Sequence, residues 1–161
     1  MFTTRFSGVL CMAALAGSLA LSTSAWAQSA GPDGLVKARS AYGMSETVAR
    51  LKKDIADKGI VFFDAIDQAK LAADAGIKLH PSTLLVFGNP PLGTQFMTSN
   101  PTSGLDWPVR LLVYQDANGD VWTAYSDFAW IAQRHAISDR VEQFAKATGV
   151  IASITSSVKA N

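Results

Sequence analysis

The run Leu84-Leu85-Val86-Phe87, closed by Gly88-Asn89-Pro90-Pro91, constrains this chain more than any other stretch. A short unbroken apolar run stopped by Gly and Pro reads as a strand buried on both faces. Such a strand lies inside a sheet, so the rest of the chain is expected to be layered around it.

The turn after that strand carries the most suggestive chemistry. Gly88 can bring a backbone close to a ligand or take positive φ. Asn89, standing before Pro90, is pushed into extended geometry, where its side chain caps a helix that Pro90 begins. Strand, glycine turn and helix N-terminus together form an arrangement that gathers anions. Gly88 to Thr94 even has the spacing of a phosphate loop. However, no Lys precedes Thr94, and Pro90 and Pro91 remove two N–H groups. A nucleotide loop is rejected. A smaller polar or anionic ligand held by Gly88, Asn89 and Thr94 is the expectation, set against a turn that serves only the fold.

Residues 1–27 read as a cleaved secretory signal: Arg5, then an apolar run from Gly8 to Leu21, then Ala25-Trp26-Ala27 ahead of Gln28. The run is shorter than the roughly 20 residues a spanning helix needs. Cleavage after Ala27 predicts a periplasmic or secreted protein and removes Cys11, the only cysteine. What is left has no disulfide and no thiol chemistry. Arg5 is the only charged residue removed, so basic and acidic residues balance in the remainder. That balance, with no Lys/Arg cluster, argues against nucleic acid and against an anionic membrane surface.

Residues 28–34 are expected to be a loose N-terminus and 35–161 a single domain. Strands are read over 35–41, 60–66 (mostly buried) and 83–87. A hairpin spans 108–115 and 121–126, with Asp116-Ala117-Asn118-Gly119-Asp120 at its tip. Helices are expected from an N-cap at Ser45 to a stop at Gly59 and from a cap at Asp67 to Gly76. Two more should run over 128–135 and onward from Ser138-Asp139, the last with Val141, Phe144 and Ala145 on one face. The order strand–helix–strand–helix–strand–hairpin–helices predicts an α+β fold with one mixed or antiparallel sheet covered by helices. The hairpin strands are apolar on both faces, with Leu112 and Tyr114 opposite Val109, Leu111 and Val113. Helices covering the second face are the simpler expectation, and a homodimer across it the alternative.

Trp107 and Tyr125 carry polar atoms near strand ends and are the expected pocket walls. Arg110, inside an apolar strand, needs a carboxylate, and Asp67 is one candidate. His80 and His135 have no i, i+4 partner, so no zinc motif exists. A soft copper site with Met44 and Met97 is the weaker reading, lone His and Met residues being usually structural. No cofactor motif and no nucleophile–base pair is visible.

Several motifs in order resemble one family: Ile66-Asp67, Leu79-His80-Pro81-Ser82-Thr83, Phe87-Gly88-Asn89-Pro90, Gly93-Thr94, Asp106-Trp107-Pro108, Tyr125-Ser126-Asp127 and Ile131-Ala132-Gln133-Arg134-His135. Together they resemble the Domain of Unknown Function 302 (DUF302) family over nearly all of residues 28–161. The resemblance implies a small α+β domain with a TATA-binding-protein-like layout, often exported and often dimeric, with no established reaction. A His commonly follows the Asp matched by Asp67; Gln68 stands there in this chain. Three readings result: an exported small-ligand or anion-binding module, a dimeric structural or assembly domain, and an enzyme using Asp67, His135 or Tyr125 as acid or base.

Overall fold

The computed structural model describes Met1 and residues 31–160. The leader expectation of residues 1–27 therefore lies outside the described residues, Met1 apart. Five strands form one antiparallel sheet: β1 (Leu35–Arg39), β2 (Val61–Asp67), β3 (Ser82–Gly88), β4 (Val109–Gln115) and β5 (Val121–Ser126), in the order β1-β5-β4-β3-β2. The helices are α1 (Met44–Asp57), α2 (Gln68–Asp74), α3 (Pro90–Ser99), α4 (Phe128–Arg134) and α5 (Val141–Ser156), with a 3-10 turn over Pro101–Leu105. The expected α+β class holds, and so does the order of elements except that α3 and the 3-10 turn stand between β3 and the hairpin; the sheet is antiparallel throughout.

Local chemistry explains most boundaries. Asp67 accepts from the Lys70 N–H at 2.9 Å and caps α2, and Gly59 and Gly76 stop helices at φ 64° and 73°. Asn89 accepts from the Leu92 N–H at 3.1 Å, with Pro90 opening α3 as expected. At the hairpin tip, Asp116 accepts from the N–H groups of Asn118 and Asp120 and from Trp122 Nε1. Two helix starts differ from expectation. Gly43, not Ser45, is the N-cap of α1, without a side-chain bond, and α5 begins three residues after Ser138. Val141 and Ala145 are exposed; the buried stripe of α5 is Phe144, Ala147, Ile151 and Ile154.

Burial departs from the sequence reading in three places. Leu85 and Phe87 are buried, but Leu84 and Val86 are only half-buried, so β3 has one core face. β2 is an edge strand and largely exposed, because β3 pairs with one of its sides and no described strand pairs with the other. Residues 31–34 are not a loose end: Gly34 donates to the Gly31 carbonyl and accepts from the Asp127 N–H, tying the turn to the α4 cap.

The core lies between one sheet face and two helices. Val36, Leu85, Phe87, Leu111, Val113 and Tyr125 pack in one cluster with Leu51 and Ile55 of α1 and Phe144, Ile151 and Ile154 of α5. On the opposite face Ile66, Leu84, Leu112, Tyr114 and Trp122 stay half-buried and outside that cluster. The expected burial of the second face by helices does not occur, since the long helices on both flanks of the sheet fold to the same side.

Candidate functional site

The Gly88 end of β3 opens into a cleft of about 500 Å³. Its walls are apolar: Phe87, Leu92, Phe96, Trp107, Val109 and Phe128 from the sheet end and neighbouring elements, and Ile60 from the approach to β2. The remaining wall is α5. Lys146, Gly149, Val150 and Ser153 line the cleft at i, i+3, i+4 and i+7, the spacing of one helical stripe.

Trp107 sits in this wall by virtue of two glycines. A Cβ on Gly93 would lie 1.8 Å from Trp107 Nε1, and one on Gly88 would lie 3.2 Å from the same ring. The close approach expected of Gly88 is therefore made, but toward the protein's own indole. Phe63, set outward at the bulge in β2, meets the Trp107 ring edge-on at 6.0 Å. Gly149 is a different case. It lies mid-helix, yet a Cβ there would meet nothing within 4 Å.

The loop carrying Trp107 is clamped to the end of α4 by a charged cluster. Asp106, its side chain 4% exposed, faces two guanidinium groups and an imidazole. Arg110 Nη2 and Arg134 Nη1 approach it at 3.1 Å each, and His135 Nε2 at 2.7 Å. Arg110 thus finds its carboxylate four residues upstream and not in Asp67. The Asn100 amide donates to the His135 carbonyl at 2.8 Å. A carboxylate left in such a site without its partners would be costly, so the cluster is set as a unit.

Thr102, His135 and Asp106 have the connectivity of a hydroxyl–imidazole–carboxylate triad, with Thr102 Oγ1 2.9 Å from His135 Nδ1. The donor pattern argues against that use. The Thr102 proton goes to Asn100 Oδ1 at 2.9 Å and is not directed at the imidazole. Nε2–H is held by Asp106. The large cleft does not reach Thr102 or His135.

Of the six residues expected to form a site, Gly88, Asn89 and Trp107 line the cleft together. Thr94 does not; its hydroxyl donates to the Pro90 carbonyl at 2.8 Å inside α3. Asp67 caps α2 at the far end of β2, where Val61 pairs with Gly88 and Asp67 with Thr83. Six strand steps put it roughly 20 Å from the turn. Tyr125 is buried in the core and borders only a small hollow of about 20 Å³ beside Asp106 and Phe128. Burial pushes its phenol above the ordinary value, the charge of Asp127 adds to this, and a hydrogen bond with Thr155 opposes it.

No hydrogen bond joins any two of Asp67, His135 and Tyr125 among the described residues. His80 is exposed in the loop before β3, at the opposite end of the sheet from His135. No group of three or more His, Cys, Asp or Glu able to hold a metal exists among the described residues. The α5 wall went unread in the sequence, although a glycine three residues after a lysine within a helical pattern was a usable signal.

Comparison with known proteins places the chain among relatives of two kinds. Residues 36–154 match the family described as "Domain of unknown function DUF302". A protein of Brucella suis biovar 1 (strain 1330) named fluoride-specific ion channel FluC 1 is 39% identical over 104 residues, covering 65% of this chain and 41% of that protein. The similarly named protein of Brucella abortus biovar 1 (strain 9-941) is also 39% identical, with 38% of its length covered. The chain therefore spans about two fifths of the curated relatives it matches. A crystal structure of an uncharacterised conserved DUF302 protein from Bacillus stearothermophilus superposes with a TM-score of 0.71 at 19% identity. The match takes in 78% of this chain and 98% of that one.

Proposed function

The chain belongs to the DUF302 family, and within that family we propose that it is an exported binding module whose apolar cleft takes a small ligand. The observation carrying this reading is Gly149. A glycine in a helix interior costs about 1 kcal/mol relative to Ala, and no neighbouring atom demands its missing side chain. What it keeps open is the cleft, whose volume of about 500 Å³ falls within the range of small-molecule sites. Export is supported by the leader pattern of residues 1–27. The matched stretch is a minor part of the Brucella channels, and no described helix is long and apolar enough to cross a membrane. The likeness supports a shared domain, and fluoride transport is not carried over.

The test uses N-phenyl-1-naphthylamine, an uncharged apolar fluorophore. It should bind the purified protein saturably, and Gly149→Leu should abolish the signal while holding or raising the melting temperature. Undiminished binding in a folded Gly149→Leu protein would sink the reading.

A second reading is favoured by a separate observation. The half-exposed face of the sheet, with Leu84, Leu112 and Tyr114 side by side, is more apolar than a solvated face requires. Pairing of two copies across it supports the assembly role. An acid–base role for Asp67, His135 or Tyr125 gains no support from a site that brings them together.

A further inference from the structure

We propose that the ligand of the cleft is a single-tailed amphiphile with a carboxylate head. The proposal rests on the binding reading above and adds the class of molecule. It comes from the polar groups that the cleft leaves without partners. The carbonyl oxygen of the Asn89 side chain is used on the Leu92 N–H, which leaves the Nδ2 group as a free donor. Trp107 Nε1–H and Lys146 Nζ make no hydrogen bond among the described residues. Lys58, the other cation in the wall, is already paired with Asp54 at 3.0 Å.

Three unpaired donors therefore border a space whose walls are otherwise nearly all hydrocarbon and aromatic ring; the Ser153 hydroxyl can serve either way. Among the described residues no Asp or Glu lines that border, and the one side-chain amide oxygen there is used on Leu92. A cationic or donor-rich head would meet Lys146 and find only the Ser153 hydroxyl to accept from it, whereas a carboxylate accepts from several donors at once and gains charge assistance from the ammonium. The apolar walls call for a long apolar body, since a small hydrated anion would lose its water shell against Phe96, Val109 and Phe128 without replacement.

The experiment displaces N-phenyl-1-naphthylamine with decanoate, decan-1-ol and decyltrimethylammonium, three ten-carbon chains that differ only in head group. Decanoate should compete about tenfold more tightly than the alcohol, one hydrogen-bonded charge pair's worth of selectivity. The ammonium should compete weakest. Lys146→Gln should erase the preference for decanoate and leave decan-1-ol unchanged. Lys146→Arg should restore it, and Lys78→Gln, on an exposed loop residue outside the cleft, should leave it intact. Equal competition by all three heads, or a preference that survives Lys146→Gln, would overturn the carboxylate assignment while leaving a ligand-binding cleft standing. Failure of the fluorophore itself, or its indifference to Gly149→Leu, is instead failure of the binding reading, and the carboxylate assignment falls with it.

Discussion

At the scale of the residue, glycine does two opposite things around the cleft. Gly88 and Gly93 are filled in by another residue, the indole of Trp107, while Gly149 is left empty. The first pair is therefore a packing requirement. Gly93→Ala must push the Trp107 ring out of place, because no real Cβ contact survives at 1.8 Å from Nε1. Overpacking of this kind costs about 1–3 kcal/mol. Thermal unfolding should record the loss, and the fluorescence of Trp107 should shift as its ring moves. An unchanged spectrum would mean the indole does not rest on that helix. A Cβ at Gly149, by contrast, meets nothing within 4 Å, so Gly149→Leu is expected to hold or raise stability while it blocks binding, where Gly93→Ala lowers stability. Asp106 belongs to the same scale: by holding His135, Arg110 and Arg134 it fixes the loop whose next residue is Trp107.

At the scale of the element, the β4–β5 hairpin is closed by one carboxylate. Asp116 titrates below the ordinary carboxylate value, chiefly because Trp122 Nε1 donates to it; desolvation, next in size, opposes this, and the N–H groups of Asp120 and Asn118 and the charge of Arg39 add to the lowering. Because its folded value is depressed, the stability it contributes is present above the unfolded carboxylate value and is lost as pH falls through the folded one. Asp116→Asn should lower the melting temperature at neutral pH. The gap from the parent protein should close as the solution is acidified past the carboxylate range. A gap independent of pH would mean the tip is held by its backbone alone. β2 illustrates the same scale differently. Its composition is that of an interior strand, but its position at the sheet edge leaves Val61 and Phe63 at 44% and 46% exposure.

At the scale of the whole molecule, the long helices α1 and α5 gather on one side and leave the other face of the sheet half-covered. If two copies pair through that face, the protein should sediment as a dimer at micromolar concentration, and Leu112→Glu should yield folded monomers. A wild-type monomer under those conditions would remove the assembly reading. The cleft lies at the end of β3 and against α5, so its probe binding should survive in the Leu112→Glu monomer. That independence separates the two functional readings on one preparation.

The sequence alone determined what depends on neighbours along the chain. The Asn89–Pro90 start of α3, the Asp67 cap, the glycine stops and the Asp116 hairpin tip are local preferences, and the family motifs are linear by nature. From them came the α+β class, the order of elements and three of the cleft's residues: Gly88, Asn89 and Trp107. Tertiary structure decided whatever rests on residues distant in sequence. That Asp106 gathers Arg134 and His135, and that Tyr125 faces the core, could be read only once strands were ordered and paired. The α5 wall is the plainest case, because Lys146 and Gly149 reach the Asn89 turn only when a helix more than fifty residues downstream folds back on the sheet. An apolar pattern says that a face will be buried, but the partner is set by the order of the strands and the side each connection takes, which no local preference encodes.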